Sequence, residues 1–344
     1  MKKQLAACLL LFLALAGVPA VAAALNQPFY ITLLGRMLIV AVAVASLHVL
    51  IGFGGMVSFG HALFMGVGAY AVGGLSFYGV HNGFLQIGLT LVLCASMGAL
   101  TGAIVLRTSG IAFIMITLAF AQMFYFLMVS LKQFGGDDGM PLAQRSDFGW
   151  FSLNSDANIY YAALVLLAVV LWVTFKTVHS RFGMVLRGAK ANPARMAALG
   201  FDVLPYQLTA YVLAAMVCGL AGFLLSNLAK FSSPSYAAWS VSGELIVMVV
   251  LGQLLANQLW RNPSAGSVAQ ITSPVLGTLV FLIVEEALKA YTTHWPLVLG
   301  ALIVLGVLAS AGVLNLSPSN PNEVSKADSK AGSKADFKDL KGTP

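Results

Sequence analysis

Residues 52–70 read GFGGMVSFGHALFMGVGAY, a glycine-punctuated apolar run in a chain made largely of other apolar segments. Backbone can leave helical geometry at bilayer depth only where it is buried in protein or lines a polar cavity. The run therefore predicts a broken membrane span. A broken span marks a candidate substrate path, so the sequence favours a protein that moves something across a membrane.

Composition supports the same reading. Hydrophobic residues make up 59% of the chain and charged residues only 9%, and the mean hydropathy is +0.88. These values lie outside the range of soluble globular proteins. Crossing about 30 Å of hydrocarbon takes roughly 20 apolar residues. The predicted fold is an all-α polytopic helical membrane protein with helices broken near the midplane. Its ten candidate spans are 5–25, 29–51, 61–80, 84–106, 111–131, 158–178, 206–229, 244–258, 272–291 and 295–314.

The N-terminal segment, residues 1–28, fits two interpretations. Lys2 and Lys3 followed by an apolar run and small residues are typical of a secretory signal peptide. A retained helix is the interpretation we favour. Beyond it, the sequence predicts four further regions. They are a first transmembrane bundle (29–178), a cytoplasmic loop (179–205), a second transmembrane bundle (206–315) and a disordered tail (316–344).

Lysine and arginine collect in the short loops on one side of this arrangement, which predicts that side to be cytoplasmic. With both termini inside, all of these basic residues fall there: Lys2, Lys3, Arg107, Lys176, Arg181, Arg187, Lys190, Arg195, Arg261, Lys326, Lys330, Lys334, Lys338 and Lys341. The net charge of +7 is thus a topology signal, and no nucleic-acid partner is expected. Three cysteines, all in apolar spans, predict neither a disulfide framework nor a metal site.

The loop between Lys176 and Pro205 predicts two short helices. Apolar residues recur at helical spacing after Arg181, and Asn192-Pro193 is typical of an N-cap with proline at the first helical position. Gly200 lies where a C-terminal glycine cap belongs. Helices this short are marginal in water alone, so they need a partner to pack against. The alternative is that they lie in the lipid headgroup layer.

Four stretches together resemble the LivM-type permease of branched-chain amino-acid ABC importers. They are residues 52–70, TLAFAQMFYF (117–126), FGGDDGM (134–140) and SRFGMVLRGAKANPARMAALGF (180–201). The resemblance implies an inner-membrane protein that pairs with a second permease subunit, two cytoplasmic ATPase subunits and an extracytoplasmic substrate-binding protein. No cofactor is implied. It also implies that the 180–201 loop couples to an ATPase. The coupling residues would be Ser180, Arg181, Phe182, Gly183, Leu186, Arg187, Ala197, Leu199 and Gly200.

Candidate substrate-path residues follow from the charges of an amino acid, because a zwitterion crossing a membrane needs polar groups that bind its carboxylate and ammonium. A carboxylate is best met by backbone N–H groups at a helix N-terminus, and residues 54–60 present these if the chain unwinds there and re-enters a helix near His61. The predicted path residues are Gly54, Gly55, Ser58, Gly60 and His61. The alternative is that the glycines only let helices pack closely. A second interruption is expected near 263–278, where the chain departs from the family pattern after Gly252.

Other polar residues carry further predictions. The outer-loop turn of Gly135, Gly136, Asp137, Asp138 and Gly139 could meet the binding protein or be a simple surface turn. Glu285 and Lys289, four residues apart, predict an ion pair on one helix face. Glu244 lies at the start of a span, where its carboxylate interacts favourably with the positive end of the helix dipole. Arg36 and His48 receive no role.

No sequence motif for ATP hydrolysis or other catalysis is present, so the chain is not predicted to be an enzyme. Alternatives to an amino-acid importer are an importer of urea or a short amide, and a gradient-driven secondary transporter.

Overall fold

The computed structural model describes residues 15–19, 28–149, 151–260 and 268–310. The chain divides into two compact units, Met1–Tyr291 and Thr292–Pro344. The helices of the first unit are α1 (Pro28–His48), α2 (His61–Phe77), α3 (Gly83–Val105), α4 (Ile111–Ser130), α5 (Asp156–His179), α6 (Arg181–Ala191), α7 (Pro193–Ala198), α8 (Val203–Ala229), α9 (Trp239–Trp260) and α10 (Val268–Tyr291). In the second unit the described residues contain α11 (Trp295–Ser310).

Seven helices in the described part of the chain are long and apolar enough to cross a membrane. Two shorter apolar helices, His61–Phe77 and Trp295–Leu305, accompany them. These nine correspond to nine of the ten candidate spans, and the first candidate, 5–25, lies mostly outside the described residues. The prediction of an all-α polytopic membrane protein is confirmed.

Glycine contacts hold the centre of the bundle together. A Cβ atom on Gly68 of α2 would collide with the backbone carbonyl of Gly219 on α8, and one on Gly222 would collide with that of Met65. Small residues let membrane helices approach to backbone contact. Gly68, in the helical half of residues 52–70, thus allows close helix packing, which was the alternative expected for the glycines of that run.

The two ends of the bundle differ. One end, here called the loop end, carries residues 131–155 and the first residues of α1 and α5, where Thr32 Oγ1 donates to Asp156 Oδ2 at 3.2 Å. The other, the coupling end, carries α6 and α7. Helix α1 joins the two ends, because its N-terminal part meets Asp156 while the turn that follows it meets Lys190 of α6.

The 131–155 loop is fixed to the bundle by a buried polar cluster. Arg145 makes an ion pair with Asp156 at 2.6 Å and donates to the Asn154 carbonyl at 2.8 Å. Ser146 N donates to Asn227 Oδ1 of α8 at 2.8 Å. Strand β1 (Met140–Pro141) also pairs antiparallel with β2 (Phe231–Ser232). The loop is therefore built into the fold.

The segment after Gly252 is a close helix pair. A Cβ on Gly277 of α10 would come within 2.5 Å of the Gly252 nitrogen of α9. Pro274 lies inside α10 and cannot donate to the carbonyl four residues earlier. Ser273 Oγ donates to that carbonyl, of Gln270, at 2.8 Å. Residues 268–278 therefore form continuous helix, and the interruption expected over 263–278 is absent from them; residues 261–267 lie outside the described part.

Candidate functional site

The first interrupted span follows α1. The chain continues into a π-helical turn, Val49–Gly54, and stops at Gly55, whose φ of +70° lies in the left-handed region that favours glycine. The N–H of Met56 donates to the Leu50 carbonyl at 3.0 Å and closes the turn. Residues 56–60 are non-helical, and α2 begins at His61. The break therefore lies where the sequence predicts it.

Hydroxyl groups satisfy the backbone N–H groups at this break. Phe59 N donates to Thr117 Oγ1 at 3.1 Å, Gly60 N donates to Ser58 Oγ at 3.2 Å, and Ala62 N donates to Ser242 Oγ at 2.9 Å. Hydroxyl oxygens accept hydrogen bonds much as a ligand carboxylate would. In this conformation the start of α2 is therefore closed by the protein's own side chains.

The two predicted path side chains lie inside this closure. Ser58 and His61 are fully buried. His61 Nε2 and Ser46 Oγ of α1 are 2.7 Å apart, while His61 Nδ1 has no partner in the described part of the chain. Gly54 and Gly60 are buried as well, whereas Gly55 is exposed. The structure brings these five residues together with Ser58 and His61 fully buried, so their path-lining role stays a prediction.

A second interruption, missed from sequence, lies between α8 and α9. Helix α8 ends at Ala229, the next residue, Lys230, has a φ of +53°, and Pro234–Ala237 forms a single 3₁₀ turn before α9 begins at Trp239. Ser232 Oγ donates to the Ala69 carbonyl at 2.9 Å, and a Cβ on Gly66 would lie 2.5 Å from Ala237 Cβ. The segment therefore runs along α2 towards its N-terminus.

Both interruptions lie next to the first turn of α2. The first leads directly into that turn, and the start of α9, which follows the second, contacts it through the hydrogen bond from Ala62 N to Ser242 Oγ. Discontinuous helices that meet within a bundle are typical of transporter binding sites. The only sequence signal for the second break was the Ser-Ser-Pro-Ser stretch at 232–235, which is typical of a turn.

Both coupling helices begin at a side-chain cap, and the cap at Asn192 is the one that the sequence predicts. Ser180 Oγ accepts from Gly183 N at 3.4 Å to begin α6, and Asn192 Oδ1 accepts from Arg195 N at 2.9 Å to begin α7. Pro193 is the first residue of α7, and Gly200 has a φ of +85° after it. The two short helices and their boundaries agree with the prediction.

Three of the predicted coupling residues, Gly183, Leu186 and Arg187, pack against other parts of the chain. A Cβ on Gly183 would lie 2.5 Å from the Val178 carbonyl oxygen of α5. Leu186 is buried, and Arg187 Nη2 donates to the Val178 carbonyl at 3.1 Å. Gly183 and Arg187 hold α6 against α5, while Leu186 lies next to Gly54 of the first interruption. Substituting Gly183 or Arg187 would disturb that packing, so neither is a clean probe of partner binding.

The remaining predicted coupling residues are more accessible. Arg181, Ala197, Leu199 and Gly200 are exposed, while Ser180 and Phe182 are half-buried. Two exposed apolar residues lie beside them and were missed from sequence: Met184 is 57% exposed and Phe201 is 41% exposed, against 65% for Leu199. We call Met184, Leu199 and Phe201 the apolar coupling surface. Met184 was missed because it lies off the apolar stripe of α6.

Lys190 connects α6 directly to the first interruption. Its Nζ donates to the Gly52 carbonyl at 2.7 Å and to the Ile51 carbonyl at 3.2 Å. A Cβ on Gly55 would lie 2.9 Å from Lys190 Cγ, so the stem of the lysine packs against the left-handed turn. A cation favours the carbonyl end of a helix. Partial burial lowers the pKa of Lys190 below its ordinary value, because desolvation penalises the charged form.

A cavity of about 420 Å³ adjoins this contact. Its walls include Gly54–Val57 from the first interruption, Thr108–Ile111 from the turn between α3 and α4, and Lys190 and Pro193 from the coupling helices. The cavity therefore lies between the coupling helices and the first interruption.

The predicted docking turn is at the loop end. Asp137 and Asp138 are exposed, while Gly136 and Gly139 are buried. Gly135, Gly136 and Gly139 all have positive φ, between +57° and +85°. Glycines thus shape a turn that presents two carboxylates outward. Whether this turn meets a binding protein stays a prediction.

Comparison with known proteins identifies the family. The sequence model of the branched-chain amino acid transport system permease component matches residues 29–308. The chain belongs to this family. Permease components are not themselves enzymes, in agreement with the sequence. The two halves of the chain, both interruptions and the coupling helices all fall within the matched residues.

Two kinds of relative are similar to this permease. The high-affinity branched-chain amino acid transport system permease proteins LivM of Escherichia coli (strain K12) and Salmonella typhimurium are each 24% identical over 283 residues, or 75% of this chain. The match spans 63% of each LivM protein. The ribose import permease protein RbsC of Escherichia coli (strain K12) is 24% identical over 232 residues, or 65% of this chain and 67% of RbsC. No solved structure matches the chain.

Proposed function

We propose that the chain is the permease subunit of an ATP-driven importer for branched-chain or related amino acids. It would form the translocation path and couple that path to separate ATPase subunits. The observation that carries the proposal is the contact of Lys190 with the Gly52 and Ile51 carbonyls. In a permease, that contact joins a short capped helix at the coupling end to a broken membrane span.

The proposed mechanism follows the contacts that lead from the coupling helices to the start of α2. Docking of an ATPase on the apolar coupling surface would move α6 and α7 together, because Gly188 of α6 packs on Met196 of α7. Lys190 would transmit that movement to the Val49–Gly54 turn. The turn leads into residues 56–60, where Thr117, Ser58 and Ser242 hydroxyls close the start of α2. A shift there would release these hydroxyls and expose the N–H groups to substrate.

The two ends of the bundle would bind different partners. Two ATPase subunits serve a pair of permeases, and this chain would present Met184, Leu199 and Phe201 to one of them. At the loop end, the carboxylates of Asp137 and Asp138 would meet a substrate-binding protein. A second permease subunit would complete the membrane-embedded part. Under this proposal the coupling end and both termini would lie in the cytoplasm.

The substrate class is the finer part of the proposal. The family and the LivM relatives favour a branched-chain amino acid, while RbsC imports ribose and is equally identical to this chain. An amino acid carries a carboxylate, which the backbone N–H groups at the start of α2 could bind once the hydroxyls release them. A urea or short-amide importer would use the same coupling parts with a different binding protein.

Gentle solubilisation of the tagged chain from its native membrane, followed by mass spectrometry of what co-purifies, tests the assembly. The expected result is a second permease and two ATPase chains in stoichiometric amounts. A chain that purifies alone and still transports in a gradient-driven vesicle assay would replace the proposal with a secondary transporter.

A further inference from the structure

His48 is the last residue of α1, and its side chain is fully buried beside the first interruption. The ring lies directly on the Val49–Gly54 turn, because a Cβ atom on Gly52 would come within 2.7 Å of His48 Cε1. Phe53 packs edge-on against the same ring, with 5.4 Å between the two ring centroids. Since ring and turn are in close contact on two sides, a shift of the turn displaces the ring.

The same ring contacts α9. Gln253 Nε2 lies 3.4 Å from His48 Nδ1, where an amide N–H can donate to an unprotonated ring nitrogen. Helix α9 is itself held at this level, because a Cβ atom on Gly252 would collide with the carbonyl oxygen of Ser273 in α10. His48 therefore joins the first interruption to a closely packed helix pair.

Helix α9 contacts the first interruption a second time, at its own beginning. Ser242 Oγ, in the first turn of α9, accepts a hydrogen bond from Ala62 N at 2.9 Å, and both residues are fully buried. Ser242 and Gln253 are about 16 Å apart along the helix axis, given a rise of about 1.5 Å per residue. One continuous helix thus contacts the chain before the break and after it. Displacement of the helix at Gln253 would move Ser242 as well, since a helix transmits motion as a stiff element.

We propose that His48 and Gln253 are positioning residues that pass the movement of the first interruption to α9. Lys190, which donates to the Gly52 carbonyl at 2.7 Å, would move the turn. His48 would transfer that movement to Gln253, and α9 would draw Ser242 away from the N–H group at the start of α2. The inference rests on the proposed function and adds the residues that connect the coupling helices to α9.

Gln253→Met tests the connection. Methionine is close to glutamine in size but has no N–H donor, so the packing around the half-buried side chain is kept and the contact with His48 is lost. Gln258→Met is the matched control, because Gln258 is an exposed glutamine of the same helix. Substituting His48 itself would leave a hole behind Gly52 and is not a clean test.

The assay uses the complete transporter, with its second permease, its ATPases and its binding protein, reconstituted in proteoliposomes with leucine as the probe. Wild-type ATP-driven leucine uptake is measured first, which tests the proposed function by itself. Gln253→Met should lower the leucine imported per ATP hydrolysed roughly 3- to 10-fold, as expected for the loss of one neutral hydrogen bond. Gln258→Met should leave that ratio unchanged.

A double variant tests whether Lys190 and Gln253 act on one route. Combining Lys190→Met with Gln253→Met should cost no more coupling than the larger single loss, because a route that is already broken loses little more when broken again. Contacts that act independently would multiply their losses.

Thiol labelling separates positioning from simple packing. In a Cys8→Ser background, Ser242→Cys places a thiol at a fully buried position, while Cys94 and Cys218 are buried and contribute little background. A small maleimide should label Ser242→Cys only when the ATPases hold a non-hydrolysable ATP analogue. Adding Gln253→Met should abolish this nucleotide-dependent labelling and leave the thiol protected without nucleotide. A packing defect would instead expose the thiol in both conditions.

Each of four results would overturn the inference: wild-type coupling in Gln253→Met, an equal loss in Gln258→Met, multiplied losses in the double variant, or nucleotide-independent labelling of the thiol in the Gln253→Met background. Failure of the proposed function is recognised separately, because the wild-type assembly would then import no leucine with ATP. The labelling experiment does not depend on the substrate and still tests the contact between His48 and Gln253 in that case.

Discussion

Replacing Lys190 with methionine should uncouple transport from ATP hydrolysis while leaving the protein folded. Methionine keeps most of the aliphatic stem that packs against Gly55 but cannot donate to the carbonyls of Gly52 and Ile51. The Val49–Gly54 turn keeps its own backbone hydrogen bonds, so the broken span still forms. What is lost is the direct connection between α6 and that turn.

The magnitude follows from the two hydrogen bonds. A hydrogen bond to a charged group contributes about 1.5–3 kcal/mol when well shielded. The Lys190 side chain is partly exposed, and the 3.2 Å bond to Ile51 is the weaker of the two. A loss of about 1–2 kcal/mol is therefore expected, which weakens the coupling of the two elements roughly 5- to 30-fold.

The assay is ATP-driven leucine uptake in proteoliposomes, measured in parallel with ATP hydrolysis. Lys190→Met should lower leucine imported per ATP hydrolysed by this factor, with normal subunit stoichiometry. Arg195→Met is the matched control, because Arg195 is an exposed cation on α7 whose side chain makes no hydrogen bond in the described structure. Wild-type coupling in Lys190→Met would refute the reasoning, as would equal uncoupling in Arg195→Met.

Three other substitutions test the remaining contacts. Leu199→Asp should abolish co-purification of the ATPases because it puts a charge on the apolar coupling surface, whereas Leu131→Asp at the loop end should not; retained ATPases in the first variant would argue against that surface. Gly68→Ala should lower the unfolding temperature in detergent because its Cβ would overlap the Gly219 carbonyl, while Gly88→Ala, with nothing within 4 Å, should be neutral or slightly stabilising. Arg145→Gln leaves Asp156 without its cation and should destabilise the 131–155 loop by about 2–4 kcal/mol, seen as rapid limited proteolysis there; wild-type resistance would show that the ion pair does not hold the loop.

Sequence reasoning located the parts of this fold that depend on local rules. The cap at Asn192 and the break before His61 follow from side-chain and glycine chemistry within a few residues. The Glu285–Lys289 pair follows from helical spacing. Each of these appears in the structure at the predicted position.

The features that sequence reasoning missed depend on contacts between distant segments. The second interruption at 230–238 follows a helix end at Lys230, a residue with no strong turn signal, and is stabilised by contacts with Ala69 and Gly66. The closure of the α2 N-terminus uses hydroxyls from Thr117 and Ser242, 58 and 180 residues from the groups they satisfy. No local pattern connects such residues.

The Lys190 contact belongs to the same class. Its ammonium meets carbonyls 138 and 139 residues earlier in the chain. The sequence assigned Lys190 only a place among the basic residues of a cytoplasmic loop. Lys190 connects α6 to the Val49–Gly54 turn only because α6 packs against the first interruption, and the sequence does not show that packing.

ATP-driven uptake by the purified assembly tests the central claim most directly. The chain, its second permease, its ATPases and a leucine-loaded binding protein are reconstituted in sealed vesicles without an ion gradient. We expect radiolabelled leucine to accumulate only when ATP is present on the side of the coupling helices. Accumulation that ignores ATP and follows an imposed proton or sodium gradient would contradict the account.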